Sequence, residues 1–404
     1  MFGSIYTGMS GLAAFSAGLD VISNNVANLN TPGYKGSDLL FQDLFYGFQM
    51  SNEFNNNFNS MQIGNGVQAN TTTIIYSQGD IRDTGEDTDV AIDGQGFFLL
   101  QDGDTQYFTR SGQFVFNQEG YLVARGTDFR VMAFDESGNE TNVSLTGLRT
   151  SAPTATSKIS FTNNLSTGTT RHKLDNVVVI DQAGNEHQLT LTFVNNSAET
   201  PRSWLIEIED ESGEKIGETG EIRFQGNGSP EEEFNTFTFS FTPEGADPLE
   251  IELDFGSPGS FTGVTSFSGG TNSDMAVAER DGAGAGSIAS VEFDREGQFI
   301  IKYSNGEEYK GAKLALATFP DLQALQQMGN SLYTTTKDNQ AQLSTATKDG
   351  LGEITGKSIE LSNVELTQQF TDLIIVQRGY QASSQVLTVS NEMMQQLMEA
   401  IGKK

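Results

Sequence analysis

Apolar residues recur every seven positions near both ends of this 404-residue chain. A seven-residue apolar step keeps one stripe of an α-helix facing a partner helix. The stripe near the N-terminus consists of Ile5, Leu12, Leu19 and Val26. The stripe near the C-terminus consists of Ile359, Leu366, Leu373, Tyr380, Leu387, Met394 and Ile401. The spacing predicts one helix over 3–28 and a second over 358–401, paired as a coiled-coil-like base.

The longer helix carries more apolar surface than one partner would cover. At its opposing heptad position Phe370 is apolar, but Gln377, Ser384 and Asn391 are polar, and other apolar residues lie on further sides of the helix. A helix with apolar residues on two sides suits several neighbours rather than one. We therefore expect these helices to form contacts between subunits, with a helical hairpin inside a monomer as the alternative.

The negative charge of the chain is concentrated between its ends. The formal net charge is −30, yet residues 1–35 carry only Asp20 and Lys35, and residues 357–404 carry four basic and five acidic residues. Nearly neutral ends can pack against copies of themselves, whereas an acidic middle repels its copies. A role in keeping the protein soluble explains the acidic middle equally well. The charge also argues against nucleic-acid binding, which needs a basic footprint.

The middle of the chain reads as β-structure in two parts. Short apolar segments over 71–145 and 285–335 predict one discontinuous β-domain, and those over 146–284 predict an outer β-domain inserted into it. Residues 31–70 and 336–357 are polar and are expected to form a linker or extended arm. The predicted fold class is mainly β with α-helical termini.

Five connections between the expected strands share the form Asp/Asn-x-x-Gly. They are Asn117–Gly120, Asp135–Gly138, Asp181–Gly184, Asp210–Gly213 and Asp294–Gly297. Asp or Asn caps the first peptide of a type I turn, and Gly supplies the left-handed residue that closes a bulged hairpin. No run has the terminal Glu of a calcium-binding loop, so we predict hairpin turns.

The sequence has no pattern typical of catalysis, a metal site or a cofactor. There is no Cys, and the two histidines, His172 and His187, lack metal-ligand spacing. Neither Gly94–Gly96 nor Gly282–Gly286 completes a nucleotide-binding glycine motif. We expect a non-enzymatic protein without a cofactor. Without an 18-residue apolar run or a basic leader, we also expect no membrane insertion and no cleaved signal peptide.

Four blocks, in order along the chain, resemble the bacterial flagellar rod and hook family. The first is SNNVANLNTPGYK over 23–35, the second covers 89–98, the third covers 108–123, and the fourth comprises 362–366 with 377–381. The characteristic residues of the first block are Asn24, Asn25, Ala27, Asn28, Pro32, Gly33 and Tyr34.

The inserted region 146–284, above all Val177–Val194, resembles the outer domain of the hook-forming members of this family. The resemblance implies a structural subunit of a tubular helical polymer, the universal joint between rod and filament. The terminal helices would line the inner tube, with the β-domains stacked outward. The implied partners are further copies, the distal rod, the hook cap, the hook–filament junction proteins and the type III export apparatus.

The resemblance also implies an extracellular flagellar location, reached through type III export. Residues 41–45, FQDLF, resemble an element read at the export gate, with Phe41 and Phe45 as its apolar residues; a short amphipathic turn packed in the linker explains them equally well. The Asn-rich stretch 46–63 is longer than in the simplest hook-forming members and resembles the distal rod. A distal rod subunit and a trimeric surface adhesin therefore stay open as alternatives.

Overall fold

The structure is a computed structural model that describes residues 2–49, 61–336 and 339–401. The chain divides into two compact units. Unit 1 comprises Met1–Thr146, Val291–Ile300 and Lys310–Lys404, and unit 2 comprises Gly147–Ser290 and Ile301–Tyr309. The structure is mainly β with a helix at each end, which confirms the predicted fold class.

The N-terminal helix, α1, spans Phe2–Ala27 and agrees with the prediction to within one residue at each end. Residues 31–70, expected to be a linker or an extended arm, contain an antiparallel ribbon. Its strands are β1 (Ser37–Asp43), β2 (Tyr46–Gln49), β3 (Met61–Gly64) and β4 (Val67–Ile74). Strand β1 pairs with β4, and β2 pairs with β3. The centre of the Asn-rich stretch, 50–60, lies outside the described residues.

Eight short strands follow in unit 1. They are β5 (Ile81–Asp83), β6 (Val90–Asp93), β7 (Phe97–Asp102), β8 (Thr105–Thr109), β9 (Phe114–Phe116), β10 (Leu122–Ala124), β11 (Arg130–Phe134) and β12 (Glu140–Asn142). Strand β7 pairs antiparallel with β8 and with β11, so it occupies the middle of the sheet. Phe97, Leu99 and Phe108 point into one buried cluster of this unit, since side chains alternate between the faces of a sheet.

Unit 2 is built from two packed sheets. Its strands are β13 (Thr150–Ser151), β14 (Lys158–Asn164), β15 (Arg171–Ile180), β16 (Glu186–Asn195), β17 (Ser203–Glu209), β18 (Gly220–Arg223), β19 (Thr236–Phe241), β20 (Leu249–Asp254), β21 (Val264–Thr265) and β22 (Ala276–Arg280). One sheet has the order β15-β16-β17-β18, and the other has the order β19-β20-β14-β21 with β22 beside β14. Both contribute to one core around Trp204, Phe193 and Phe255, as in a β-sandwich.

The rest of the chain returns to the C-terminal helix. Its elements are β23 (Gly286–Phe293), β24 (Gln298–Tyr303), β25 (Glu308–Thr318), a 3₁₀ turn (Leu322–Ala324), β26 (Gln326–Gly329), β27 (Leu332–Thr334), β28 (Gln342–Thr345), β29 (Glu353–Gly356), β30 (Ser358–Glu360) and α2 (Leu366–Ile401). In unit 1, β25 pairs with β7, β11 and β28, while β29 pairs with β6.

The second helix begins at Leu366, so the predicted start at Ser358 is wrong. Residues Ser358–Glu360 form β30 instead, paired antiparallel with β5. Ile359 stands opposite Arg82 there and is buried. Its seven-residue distance from Leu366 matches the heptad only by coincidence, because the intervening residues are not helical.

All five predicted Asp/Asn-x-x-Gly turns are present. In each, the Gly amide donates to the carbonyl of the Asp or Asn at 3.0 Å. In the unit 2 turn, Asp181 also accepts the amides of Ala183 and Asn185 on Oδ1, at 2.9 and 2.8 Å. The carboxylate thus replaces backbone partners that a sharp turn leaves unpaired.

Candidate functional site

The two terminal helices pack against each other in antiparallel orientation. At one end Ser4 Oγ lies 3.2 Å from Ser390 Oγ, and at the other Asn25 Nδ2 donates to Gln369 Oε1 at 3.0 Å. Between them α1 also contacts the ribbon strands β1 and β4. The pairing within one chain is therefore real, although α2 is the longer helix by ten residues.

Small residues form the seam between the helices. A Cβ at Gly11 would lie 2.7 Å from Ser383 Oγ, and one at Gly8 would lie 3.0 Å from Leu387 Cγ. On the other helix, a Cβ at Gly379 would lie 2.4 Å from the ring of Phe15. Glycines that weaken α1 in isolation thus let the two backbones approach closely.

The observed seam lies one position away from the predicted stripe of α1. Ser4, Gly11, Gly18 and Asn25 share a seven-residue spacing and face α2. The predicted contact residues Ile5, Leu12, Leu19 and Val26 each follow one of these and are half-buried. Apolarity pointed to the larger side chains, whereas close approach is made by the small ones.

The predicted stripe of α2 divides into two groups. Leu373, Leu387 and Met394 are half-buried, while Leu366, Phe370, Tyr380 and Ile401 are exposed. The exposed apolar surface extends well beyond that stripe. Its large members are Leu366, Phe370, Ile374, Ile375, Tyr380, Val386, Val389, Met393, Leu397, Met398 and Ile401. A contiguous exposed apolar surface of this kind marks an interaction site.

Two asparagines connect the helix ends to the ribbon. Asn25 Nδ2 donates to the carbonyl of Ser37 at 2.7 Å, and its Oδ1 accepts the amide of the same residue at 3.0 Å. Asn363 Oδ1 accepts the amide of Gly36 at 2.8 Å, and its Nδ2 donates to the carbonyl of Ile75 at 2.7 Å. Each side chain thereby extends the hydrogen bonding of a β-strand to the base of a helix.

The other residues of the first sequence block shape the exit from α1. Asn24 Nδ2 donates to the hydroxyl of Tyr34 at 3.2 Å, and Asn28 Nδ2 donates to the carbonyl of Asn24 at 2.9 Å. Ala27 is exposed at the last helical position. The carbonyl of Pro32 accepts the Ser331 hydroxyl at 3.3 Å.

Gly33 is the tightest point of this exit. Its φ is +68°, and a Cβ would lie 2.4 Å from the backbone nitrogen of Ser111. Its amide donates to the carbonyl of Glu360 at 2.8 Å. A left-handed conformation and backbone contact both require glycine here.

A buried ion triad holds the junction between the two helices and the sheet. Lys35 Nζ lies 2.5 Å from Glu360 Oε1, and Arg110 Nη1 lies 3.3 Å from Glu360 Oε2. The glutamate also accepts the amide of Gly79 at 2.8 Å, and Lys35 donates to the carbonyl of Ser77 at 2.8 Å. Residues just after α1, in the third block and just before α2 meet in this triad.

The triad contains two cations and one carboxylate. Burial lowers the pKa of Lys35 and of Arg110, and the attraction of Glu360 opposes this shift in both. Arg110 Nε is buried and has no hydrogen-bond partner among the described residues. Removing the only anion would leave two buried positive charges, so Glu360 holds the cluster together.

Sequence reasoning missed this triad, although two of its members stood in quoted blocks. Lys35 closes the first block and Arg110 lies in FTRSGQF. Glu360 was read as part of a helix. The available signal was a lone charge inside an otherwise apolar or small-residue block, which suggests a buried partner.

Phe41 and Phe45 occupy different surroundings. Phe41 lies in β1, with its ring centroid 5.8 Å from that of Phe15 on α1. Phe45 follows β1 and is 92% exposed. The alternative of an amphipathic turn is wrong for Phe41, because residues 37–43 pair with β4 as a strand.

Helix α1 also meets a membrane-span criterion. By length and composition alone, Gly3–Ala27 is apolar enough to cross a bilayer, because Asp20 is its only charged residue. The expectation that the chain lacks such a stretch was therefore wrong. In the structure this helix packs against α2, β1 and β4. No group of three potential metal-ligating His, Cys, Asp or Glu residues occurs in the described part of the chain.

Three family profiles match the segments that build this site. "Flagella basal body rod protein" matches residues 5–35, "Flagellar hook protein FlgE/F/G D1 domain" matches 91–162, and "Flagellar basal body rod FlgEFG protein C-terminal" matches 356–400. The first and last cover most of α1 and α2, and the other two triad residues, Lys35 and Glu360, fall inside them.

Curated relatives extend the similarity along the chain. The flagellar hook protein FlgE of Borreliella burgdorferi is 28% identical over 98% of this chain and 99% of its own length. That of Escherichia coli is 27% identical over 96% and 98%, and that of Helicobacter pylori is 36% identical over 46% and 27%.

Among solved structures, the Helicobacter pylori flagellar hook protein FlgE2 covers 69% of this chain and 100% of its own, with a TM-score of 0.49 and 12% identity. The three profiles and the near-full-length relatives carry the assignment. The chain belongs to the bacterial flagellar rod and hook family, as a hook-type member.

Proposed function

We infer that this chain is a structural subunit of the flagellar hook and assembles through its terminal helix pair. The observation that carries this inference is the apolar surface that α2 keeps exposed after α1 has packed against it. Phe370, Ile375 and Met398 are each more than half exposed. Apolar surface removed from water contributes roughly 25 cal/mol per Å², so covering this surface with neighbouring copies stabilises a polymer.

The charge distribution supports the same inference. Both helices belong to the nearly neutral ends of the chain, whereas the excess of acidic residues lies between them. Dense packing of many copies around the helices is therefore compatible with electrostatics. Repulsion between the acidic middles keeps those regions solvated and able to slide past one another, as a universal joint requires.

We propose further that the polymer is a tube, with the helix pairs on its inner side and the β-structure outward. Its ends would meet the distal rod, the hook cap and the hook–filament junction proteins. The chain would reach the flagellum unfolded, through the type III export apparatus, without cleavage of a signal peptide. Phe45, almost fully exposed, and Phe41 are the residues that we propose the export gate reads. These proposals rest on the family resemblance.

A truncation tests assembly through α2. The deletion should begin at Leu366, because Ile359 and Glu360 belong to the fold of unit 1. We expect the shortened chain to remain a soluble monomer with its β-sheet circular dichroism intact, while the whole chain forms tubes in electron micrographs. Tubes formed by the shortened chain would refute assembly through α2.

A further inference from the structure

A groove of about 280 Å³ lies between α1, α2 and strand β1 of the ribbon. Its apolar lining consists of Val21, Ile22, Leu39, Phe41, Ile75, Ile375 and Val376. Phe41, Ile75 and Ile375 are each about half exposed. Asp38 and Asp372 add two carboxylates to the lining. The groove is thus apolar at its base and acidic at its margin.

The opposite end of the helix pair presents an apolar overhang. Because Ser4 lies beside Ser390 and the described part of α1 begins at Phe2, the last two turns of α2 extend past α1. Every described residue over 395–401 is exposed. The apolar side chains there are Met394, Leu397, Met398 and Ile401, which follow a helical spacing. Two of them are methionines, whose flexible side chains adapt to irregular grooves.

The overhang cannot enter the groove of its own chain. Val376 in the groove and Ile401 at the tip belong to one continuous helix. At 1.5 Å per residue they are separated by about 37 Å. An occupant of the groove that uses this overhang must therefore come from another copy.

The two features also match in charge. Lys403 and Lys404 follow Ile401 in the sequence, and the groove carries Asp38 and Asp372. An apolar helix end followed by two lysines is complementary to an apolar groove with two carboxylates. Such complementarity favours one partner and one direction.

We propose that the C-terminal overhang of one copy docks into the groove of a second copy. The proposal rests on the proposed function and specifies the contact that joins successive subunits. Met394, Leu397 and Met398 fill the space between α1, α2 and β1 of the neighbour. The contact joins unlike surfaces, so each added copy leaves one groove and one overhang free, and growth is open-ended.

A pair of complementary variants tests this contact in the whole chain. The overhang variant carries Leu397→Asp and Met398→Asp, and the groove variant carries Ile75→Asp and Ile375→Asp. All four side chains are exposed, so both variants should keep the circular dichroism of the unchanged chain. Each variant alone should need about tenfold or more protein to assemble. Met328→Asp, an equally exposed site on β26, is the control and should assemble normally.

The decisive sample is an equimolar mixture of the two variants. The overhang variant keeps an intact groove and the groove variant keeps an intact overhang, so they should form a one-to-one complex in sedimentation velocity and grow no further. Variants that polymerise like the unchanged chain, or a mixture that stays monomeric, would overturn the docking proposal. An unchanged chain that never associates would overturn the proposed function as well, which separates the two failures.

Disulfide trapping gives a second, milder test. The chain has no cysteine, so Met398→Cys with Ile375→Cys introduces the only two thiols. Both lie on one helix, too far apart for an internal disulfide. Oxidation should give a ladder of covalent multimers on a denaturing gel, whereas Met398→Cys with Met328→Cys should not. No ladder from the first pair, or equal ladders from both, would contradict the docking.

Discussion

The buried carboxylate of Glu360 joins the segments that lead into and out of the terminal helices. It faces Lys35 and Arg110 and accepts a backbone amide. Burying such a cluster gains little stability over apolar packing, but breaking it is costly. Its role is then to fix one geometry for the junction.

Replacing the carboxylate should be the most damaging single change in this cluster. Glu360→Gln leaves Lys35 and Arg110 buried without an anion, so we expect the free energy of unfolding to fall by about 3–5 kcal/mol. Lys35→Met leaves one opposite pair and should cost less. Urea unfolding measures both, with exposed Glu353→Gln as the control. A smaller loss for Glu360→Gln than for Lys35→Met would contradict the account.

Gly33 and Gly85 form a matched pair for backbone strain. Both have positive φ, +68° and +73°, but only Gly33 has backbone within reach of an added Cβ. Gly85→Ala should cost about 1–2 kcal/mol from conformation alone. Gly33→Ala should cost at least ~2 kcal/mol more, because the chain at Ser111 must move. Equal losses in urea unfolding would show that the contact with Ser111 is unimportant.

Asp181 makes the stability of unit 2 depend on acid. Hydrogen bonds from Asn185, together with His187 and the turn amides, hold the pKa of Asp181 well below its usual range. Its contribution is present above about pH 4, the ordinary range of an unfolded Asp. It is lost as the pH falls through the depressed pKa.

Asp181→Asn should therefore lose less stability than the unchanged chain on acidification. The comparison is the urea midpoint at about pH 5 and about pH 2.5. Asp104→Asn, in an exposed turn, is the control and should behave like the unchanged chain. An equal acid loss in Asp181→Asn would exclude this carboxylate as a cause.

The helices show what periodicity can and cannot predict. The heptads located α1 to within a residue at each end, because a 26-residue helix offers several repeats of one signal. They placed the start of α2 too early, since Ile359 keeps the spacing while pairing in a strand. They also chose the larger side chains as the seam, because apolarity does not reveal where glycine permits close approach.

The β-structure was predictable where the turns were. Each Asp/Asn-x-x-Gly connection carries its own local mechanism, so these hairpins followed from sequence. The ribbon over 37–74 did not, because its pairing depends on Asn25 and Asn363, which are distant in sequence from their partners. The ion triad was missed for the same reason: residues 35, 110 and 360 meet only in the folded chain.

Widening the helix seam should separate the pair without unfolding the sheets. Gly11→Leu places a branched side chain where a Cβ already meets Ser383, so we expect a loss of about 1–3 kcal/mol. Gly3→Leu, at a position of α1 with open space, is the matched control. Limited proteolysis in the helices measures the effect. Equal protection of the two variants would contradict close packing at Gly11.

Over its full length the chain combines nearly neutral, apolar ends with an acidic middle. The helix pair satisfies only part of its own apolar surface, since α2 is longer than α1 and apolar on more than one side. A subunit of this kind is incomplete alone and is stabilised by its neighbours. The exposed surface of α2 and the acidic repulsion of the middle then act together to favour assembly through the ends.

Sedimentation velocity of the whole chain over a series of concentrations tests assembly through the ends most directly. An open-ended polymer predicts a weight-average sedimentation coefficient that keeps rising with concentration, with tubes visible in electron micrographs of the same samples. A trimeric adhesin, or a self-contained hairpin in a monomer, predicts a plateau. A sedimentation coefficient that stays at a single small species throughout the series would contradict the account.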